Sequence, residues 1–336
     1  MKKLFTLTLL LASIVLTAQE TTEEATTKKV TFSGSVDAYY QTNLTSTDQA
    51  IFGDNADEFQ SFGTSFANET GFALGMANVI ASYESGKVGA VADLAFGPKG
   101  DDATGGYNIN QLYAYWNVSE GTTLTLGRFN TFLGYEVISP TGNFNYSTSY
   151  LFSNGPFSHV GLKADFTLSE DFSLMAAIMN PTDVNNNTTG DYAIGAQLGY
   201  AGQYLNFYYD SGIVLGFEVD YTGGFDITDD FYLGINAAYA DNDGEGFYGA
   251  ALYPQYGLNK SFSLGLRGEY FQTASEFVED DLSVIGLTLT GSYTVDDLTI
   301  KPELRMDSGS EEIFADADLM GTKSLATFLV GAIYSF

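Results

Sequence analysis

His159 is the only histidine in 336 residues, and the chain has no cysteine. A general base must titrate near neutral pH, so His159, oriented by Asp165 or Glu136, is the one arrangement the sequence offers for hydrolysis or acyl transfer. No serine stands in a nucleophile motif at fixed spacing from it, and the histidine therefore reads as a wall or girdle residue. The lack of cysteine removes thiol nucleophiles, disulfides, cysteine zinc sites and the acceptor for amino-terminal lipidation. Gly244-Glu245-Gly246-Phe247-Tyr248-Gly249 spells a dinucleotide fingerprint, but it opens a strand-like stretch and has no helix N-terminus to hold a phosphate. Asp241-Asn242-Asp243-Gly244-Glu245 is acidic enough to attract calcium, yet it lacks the distant bidentate glutamate of an EF-hand loop. These residues imply no enzyme, no cofactor and no resident metal.

Charge is instead set out in rows. Over 298–307, Leu298, Ile300, Pro302, Leu304 and Met306 alternate with Thr299, Lys301, Glu303, Arg305 and Asp307. Period two puts one set on each face of an extended strand and would scatter both around a helix. Phe262, Leu264 and Leu266 oppose Ser263, Gly265, Arg267 and Glu269 in the same way. Over 213–222, Ile213, Leu215, Phe217, Val219 and Tyr221 oppose Glu218 and Asp220, and over 158–168 an apolar row opposes His159, Lys163 and Asp165. Burying such polar rows in a dry sandwich core would be costly, whereas a water-filled lumen accepts them. The expected lumen-facing set is Asp37, Asp93, His159, Lys163, Asp165, Glu218, Asp220, Arg267, Glu269, Lys301, Glu303, Arg305 and Asp307. Acidic members outnumber basic ones, which implies a mild cation preference. Arg267, Lys301 and Arg305 form a partial basic ladder, able to set a transverse field or to pair with Glu269 and Glu303.

The elements that position these rows repeat one unit of strand, tight turn, strand and longer loop. Seven tight turns, Ser85-Gly86-Lys87 and Asp296-Asp297 among them, carry turn chemistry and alternate with eight other connections, including 241–246. That pattern implies sixteen antiparallel strands with both ends on the short-turn side. The first strand is expected to start at Thr31. The last, 324–336, carries an unbroken apolar row from Ala326 to Phe336 and would be an exposed apolar edge unless it pairs with the first. The expected fold is an all-β transmembrane antiparallel β-barrel, with its ends in the periplasm and a lumen wide enough for water. Faces are mixed over 72–84 and 108–119, and Leu124, Leu126 and Arg128 share one parity, which a bulge at Gly127 would resolve. Tyr39/Tyr40, Tyr113/Tyr115, Tyr208/Tyr209 and Tyr334/Phe336 are placed as interfacial girdles.

Composition agrees with this reading. Charged residues make up 16%, below the quarter usual in soluble domains. A net charge of −29 excludes nucleic acid as a partner. Met1-Lys2-Lys3 followed by an apolar stretch too short to span reads as a signal peptide over 1–18, with a flexible periplasmic tether over 19–30. Asp54, Asp57, Glu58, Glu276, Glu279, Asp280, Asp281, Glu311, Glu312, Asp316 and Asp318 form a solvated outer face of extracellular loops, where divalent cations could bridge to lipopolysaccharide.

One insertion differs from those loops. Residues 131–156 are rich in Tyr, Asn, Ser and Phe with Glu136 as the only charge, which points to a loop folded into the lumen that narrows it. The expected constriction set is Arg128, Tyr135, Glu136, Asn143, Asn145, Tyr146, Ser147 and Tyr150. Gly127-Arg128-Phe129-Asn130-Thr131, Gly134-Tyr135-Glu136, Asn145-Tyr146-Ser147, Ser149-Tyr150, Pro156-Phe157 and His159-x-Gly161, with Phe32 to Tyr40 near the start, resemble the OmpL-like β-barrel porins. The resemblance covers most of the mature chain and implies an outer-membrane channel. It brings no substrate and no site. The function expected is passive diffusion of small hydrophilic solutes, with membrane lipid and a homotrimer among the partners. The alternative is a non-conducting barrel that serves as an adhesin or assembly partner.

Overall fold

The computed structural model describes residues 28–48, 63–276 and 281–336. The expected signal peptide, the expected tether up to residue 27, and Asp54, Asp57, Glu58, Glu279 and Asp280 lie outside the described residues. The strands are β1 (Lys28–Asn43), β2 (Gly71–Ser85), β3 (Val88–Phe96), β4 (Ile109–Ser119), β5 (Thr122–Asn130), β6 (Ser158–Thr167), β7 (Phe172–Met179), β8 (Ala193–Tyr200) and β9 (Gln203–Tyr209). They continue as β10 (Phe217–Thr228), β11 (Phe231–Asn242), β12 (Glu245–Asn259), β13 (Phe262–Ser275), β14 (Ser283–Val295) and β15 (Leu298–Gly309), with the small hairpin β16 (Phe314–Ala315) and β17 (Gly321–Thr322), and end at β18 (Ser324–Ser335). All but the hairpin join one closed antiparallel barrel of sixteen strands.

The seam lies where the sequence places it. β1 pairs with β18, with Val36 opposite Tyr334 and Tyr40 opposite Val330. Gly34 and Phe336 exchange backbone hydrogen bonds of 2.9 and 3.0 Å, so the ladder runs to the final residue. Pairing with Ser85 also holds Lys28 in the strand, so β1 begins three residues before the expected Thr31. Apolar rows face outward: Leu304 and Met306 are at least half exposed, whereas Lys301, Glu303 and Asp307 on the alternate positions are buried. Closure satisfies the backbone internally, as a lipid-facing wall requires.

Bulges explain the mixed faces. The β1–β2 register shifts between Val36 and Ala38, so Leu74 is exposed while Gly75, Met76 and Asn78 are buried. The β3–β4 register shifts between Asp93 and Leu94. No shift occurs at Gly127, contrary to expectation, because pairing to β4 and β6 is continuous through it. Gly127 instead adopts φ 138°, and a Cβ there would strike the carbonyl of Leu112, so the strand is turned by a conformation open to glycine.

Three other expectations are corrected. β10 starts at Phe217, not at residue 213, because Asp210 gathers the intervening loop. Its carboxylate accepts the backbone N–H groups of Gly212, Ile213, Val214, Leu215 and Gly216 at 2.8–3.1 Å. Residues 241–246 are no loop but a tight hairpin, with Asp243 and Gly244 both at positive φ. Tyr39 and Tyr208 belong to no girdle. Both are buried, and their hydroxyls accept from the N–H groups of Glu69 and Thr182.

Candidate functional site

Residues 131–156 fold into the barrel, and local chemistry shapes them first. Thr131 N–H to the Phe157 carbonyl closes the base at 3.0 Å. Asn143 closes the middle, its amide accepting from Val137 N–H at 2.8 Å and donating to the Val137 carbonyl at 2.7 Å. A single helical turn, Tyr150–Asn154, is capped by Ser149, whose hydroxyl accepts from Phe152 N–H at 3.0 Å.

Inward carboxylates of the wall then hold the loop by its backbone. Glu303 of β15 accepts the N–H groups of Tyr146 and Ser147, the latter at 3.1 Å. Glu269 of β13 accepts those of Tyr150 and Leu151 at 3.0 and 2.8 Å, and Asp220 of β10 accepts that of Gly134 at 3.2 Å. Tyr146 donates its hydroxyl to Asp37 of β1, and Tyr150 donates to Asp307 at 2.9 Å. Asn145 donates to Thr290 of β14 at 2.6 Å. Wall glycines make room: a Cβ on Gly331 would collide with Tyr146, and one on Gly265 with Phe144.

The basic residues are equally committed. Arg267 forms an ion pair with Glu136 at 2.7 Å, both side chains being almost fully buried, and also donates to the Ser147 carbonyl. Glu136 holds Ser149 N–H at 2.7 Å with its other oxygen. Arg305 pairs with Asp307 at 2.8 Å and donates to the Thr148 carbonyl at 2.9 Å. Lys301 donates to the carbonyls of Pro140 and Asn143. Of the two readings of this ladder, pairing with Glu269 and Glu303 is therefore not what forms. Those two carboxylates hold loop amides, and the three cations hold Glu136, Asp307 and loop carbonyls.

The remaining expected residues make none of these wall-to-loop ties, apart from His159 at the base of the loop. Arg128 reaches the Asn110 carbonyl at 3.1 Å and Asn185, not residues 131–156. Asp93 accepts from Asn78, from Asn110 at 2.8 Å and from Gln111 at 3.0 Å. Lys163 and Asp165 form a partly exposed pair at 3.1 Å. His159 is buried among Phe129, Phe132 and Tyr208 and shares a 3.0 Å hydrogen bond with the Thr131 hydroxyl. Glu218 is buried beside Asp220, and its Oε2 has no hydrogen-bond partner.

A second inserted layer was not read from the sequence. Ser65 N–H donates to the Ser153 hydroxyl at 2.7 Å, and Phe66 packs on Phe152 and Phe157. In the connection after β3, the short helix Pro98–Thr104 buries Lys99, whose ammonium stands 4.8 Å from the Phe66 ring and 5.5 Å from the Tyr146 ring without a hydrogen bond. Burial pushes the Lys99 pKa down to about 8, against the upward pull of Asp37, Glu136 and Glu303. A lone lysine in a polar loop carries no signal of such a position.

Two cavities flank the loop. One of about 420 Å³ reaches Thr294, Thr299 and Ser335 near the short turns, and one of about 320 Å³ reaches Asn43, Thr64 and Leu325 near the long connections. Ser147 and Glu303 line the second of these, and Lys301 the first. Among the described residues no group of three or more carboxylate or histidine side chains is placed to hold a metal ion.

Solved structures share this architecture. An anion-selective porin from Comamonas acidovorans superposes with a TM-score of 0.59 at 12% identity, covering 92% of this chain and all of that one. In-vitro folded OmpT, an outer membrane protein of Vibrio cholerae, superposes at 0.55 with 11% identity, covering 95% and 100%. Its trimer form superposes at 0.54 with 9% identity, covering 92% and 99%. No curated protein is similar to the chain. Residues 29–336 match the family described as "Putative beta-barrel porin-2, OmpL-like", and the chain belongs to that family of outer-membrane barrels.

Proposed function

We propose that the protein is a passive diffusion channel for small hydrophilic solutes, with residues 131–156 as the constriction that sets its size limit. One observation carries this reading: wall carboxylates accept the loop's backbone amides across the lumen, leaving a polar cavity on each side. Such ties fix where a loop lies while water fills the space around it. The family membership supports a channel over an enzyme. Both chain ends would lie in the periplasm, following cleavage of the leader over 1–18.

Purified protein in planar bilayers, with neutral solutes of graded size, tests this. Stepwise conductance is expected, lowered by neutral solutes small enough to enter and unaffected by larger, excluded ones, and a barrel that inserts but passes no current would favour the adhesin or assembly reading. We also infer a mild cation preference. With the basic side chains of the ladder committed, the acids that bear on this are Asp226, Asp229 and Asp230, which line a cavity near the short turns. A reversal potential favouring anions in a salt gradient would contradict it. A homotrimer is the assembly we favour, by analogy with the trimer form of the Vibrio cholerae protein; cross-linking in native membranes that yields only monomer would oppose it.

A further inference from the structure

We propose that the cavity on the short-turn side of residues 131–156 is a binding subsite for a neutral polyhydroxylated solute, of the size of a hexose. The proposal rests on the channel reading and names a solute class for it. The cavity, about 420 Å³, falls within the range of small-molecule sites. Its lining contains no carboxylate, although the chain holds 42 acidic residues against 13 basic ones. The single charged side chain in the lining, Lys301, is 4% exposed, and its ammonium is turned to the carbonyls of Pro140 and Asn143. What the wall presents is aromatic rings and neutral hydrogen-bonding groups.

The rings are held in place. Tyr135 stacks on Tyr253 with centroids 4.3 Å apart, and its hydroxyl meets Tyr232 and Gln255. Phe144 lies where a Cβ on Gly265 would be, so the wall glycine seats the ring. Rigid rings offer apolar faces to the C–H face of a sugar, and Gln255 and Ser292 supply donors and acceptors for its hydroxyls. An anion would find only an ammonium already engaged, and a cation no counter-charge, so either would lose hydration without replacement. The cavity on the other side, lined by Glu303, Arg305 and Asp307, has the opposite character. That contrast assigns the neutral solute to the short-turn side.

Saturation-transfer NMR on the purified barrel in an amine-oxide detergent, which carries no sugar headgroup, tests the subsite with glucose, gluconate and glucosamine. These share a skeleton and differ in charge. Saturable glucose binding at least tenfold tighter than either charged analogue is expected, and Tyr232→Ala or Gln255→Leu should weaken it at least fivefold while heat-shifted electrophoretic migration is kept. Absent or non-saturable binding, or equal or tighter binding of a charged analogue, overturns the proposal; so does undiminished binding by a folded variant. The comparison among ligands needs only the unaltered protein, so misfolded variants do not leave it undecided. Binding is read without current: a protein that conducts but does not bind glucose refutes the subsite alone, and one that binds but does not conduct refutes the channel.

Discussion

Glu303 shows how one carboxylate can position a loop. It accepts two loop amides and the Thr290 hydroxyl at 2.9 Å, and each hydrogen bond to a charged group contributes about 1.5–3 kcal/mol. Glu303→Ala should therefore release the segment around Tyr146 and raise single-channel conductance with added current noise, whereas Glu303→Gln, which keeps an acceptor, should change it less. Arg267→Met leaves Glu136 buried and unpaired, a loss of roughly 3–5 kcal/mol, and the double variant with Glu136→Gln should recover much of the lost thermal stability. Lys99 supplies a pH test. With its folded pKa near 8 and an ordinary value of 10.5, the unfolded chain binds more protons between those limits, so stability rises with pH across that window. The gain is about 3 kcal/mol at most. The midpoint of heat-modifiable migration should climb between pH 8 and 10, and Lys99→Met should flatten the climb. The carboxylates were legible in the sequence as members of a polar row. Their partners were not, because alternation gives the face of a strand and says nothing about what folds against it.

Strands were legible where one face meets lipid and the other a polar interior, as in β15, since period two survives only when the two solvents differ. The bulges opposite Asp37 and at Asn110 were not, because each breaks the parity that the reading depends on. The start of β10 was missed for another reason: Ile213 and Leu215 continue the apolar alternation, yet Asp210 outcompetes strand pairing with five amide contacts. Asp210→Ala should disorder that connection, seen as faster amide exchange over 211–216, while the barrel persists. The inward course of residues 131–156 was legible only by contrast, one charged residue against acidic neighbours. Sterics test the same element without removing any of its hydrogen-bonding groups. Gly331→Val places methyl groups where the Tyr146 ring packs, and should widen the size limit for neutral solutes while the barrel still assembles. Unchanged size exclusion would show that Tyr146 does not govern the passage.

At the scale of the whole molecule, closure depends on β1 and β18, and the ladder between them runs from Ser35↔Ser335 to Asn43↔Thr327. Deleting 334–336 removes the final pairs and uncovers the edge, so the truncated chain should fail to give heat-modifiable migration and should aggregate. Aromatic residues at the end of an alternating strand made this seam the most readable feature of the chain. The wall also grips its inserted loop through main-chain amides, those of Gly134, Tyr146, Ser147, Tyr150 and Leu151. Amides are common to every residue except proline, so loop side chains that make no bond of their own to the wall can be exchanged without loosening this part of the grip. A barrel built this way can be retuned to a new cargo by substitutions at the tip of the loop, with its anchorage left as it stands.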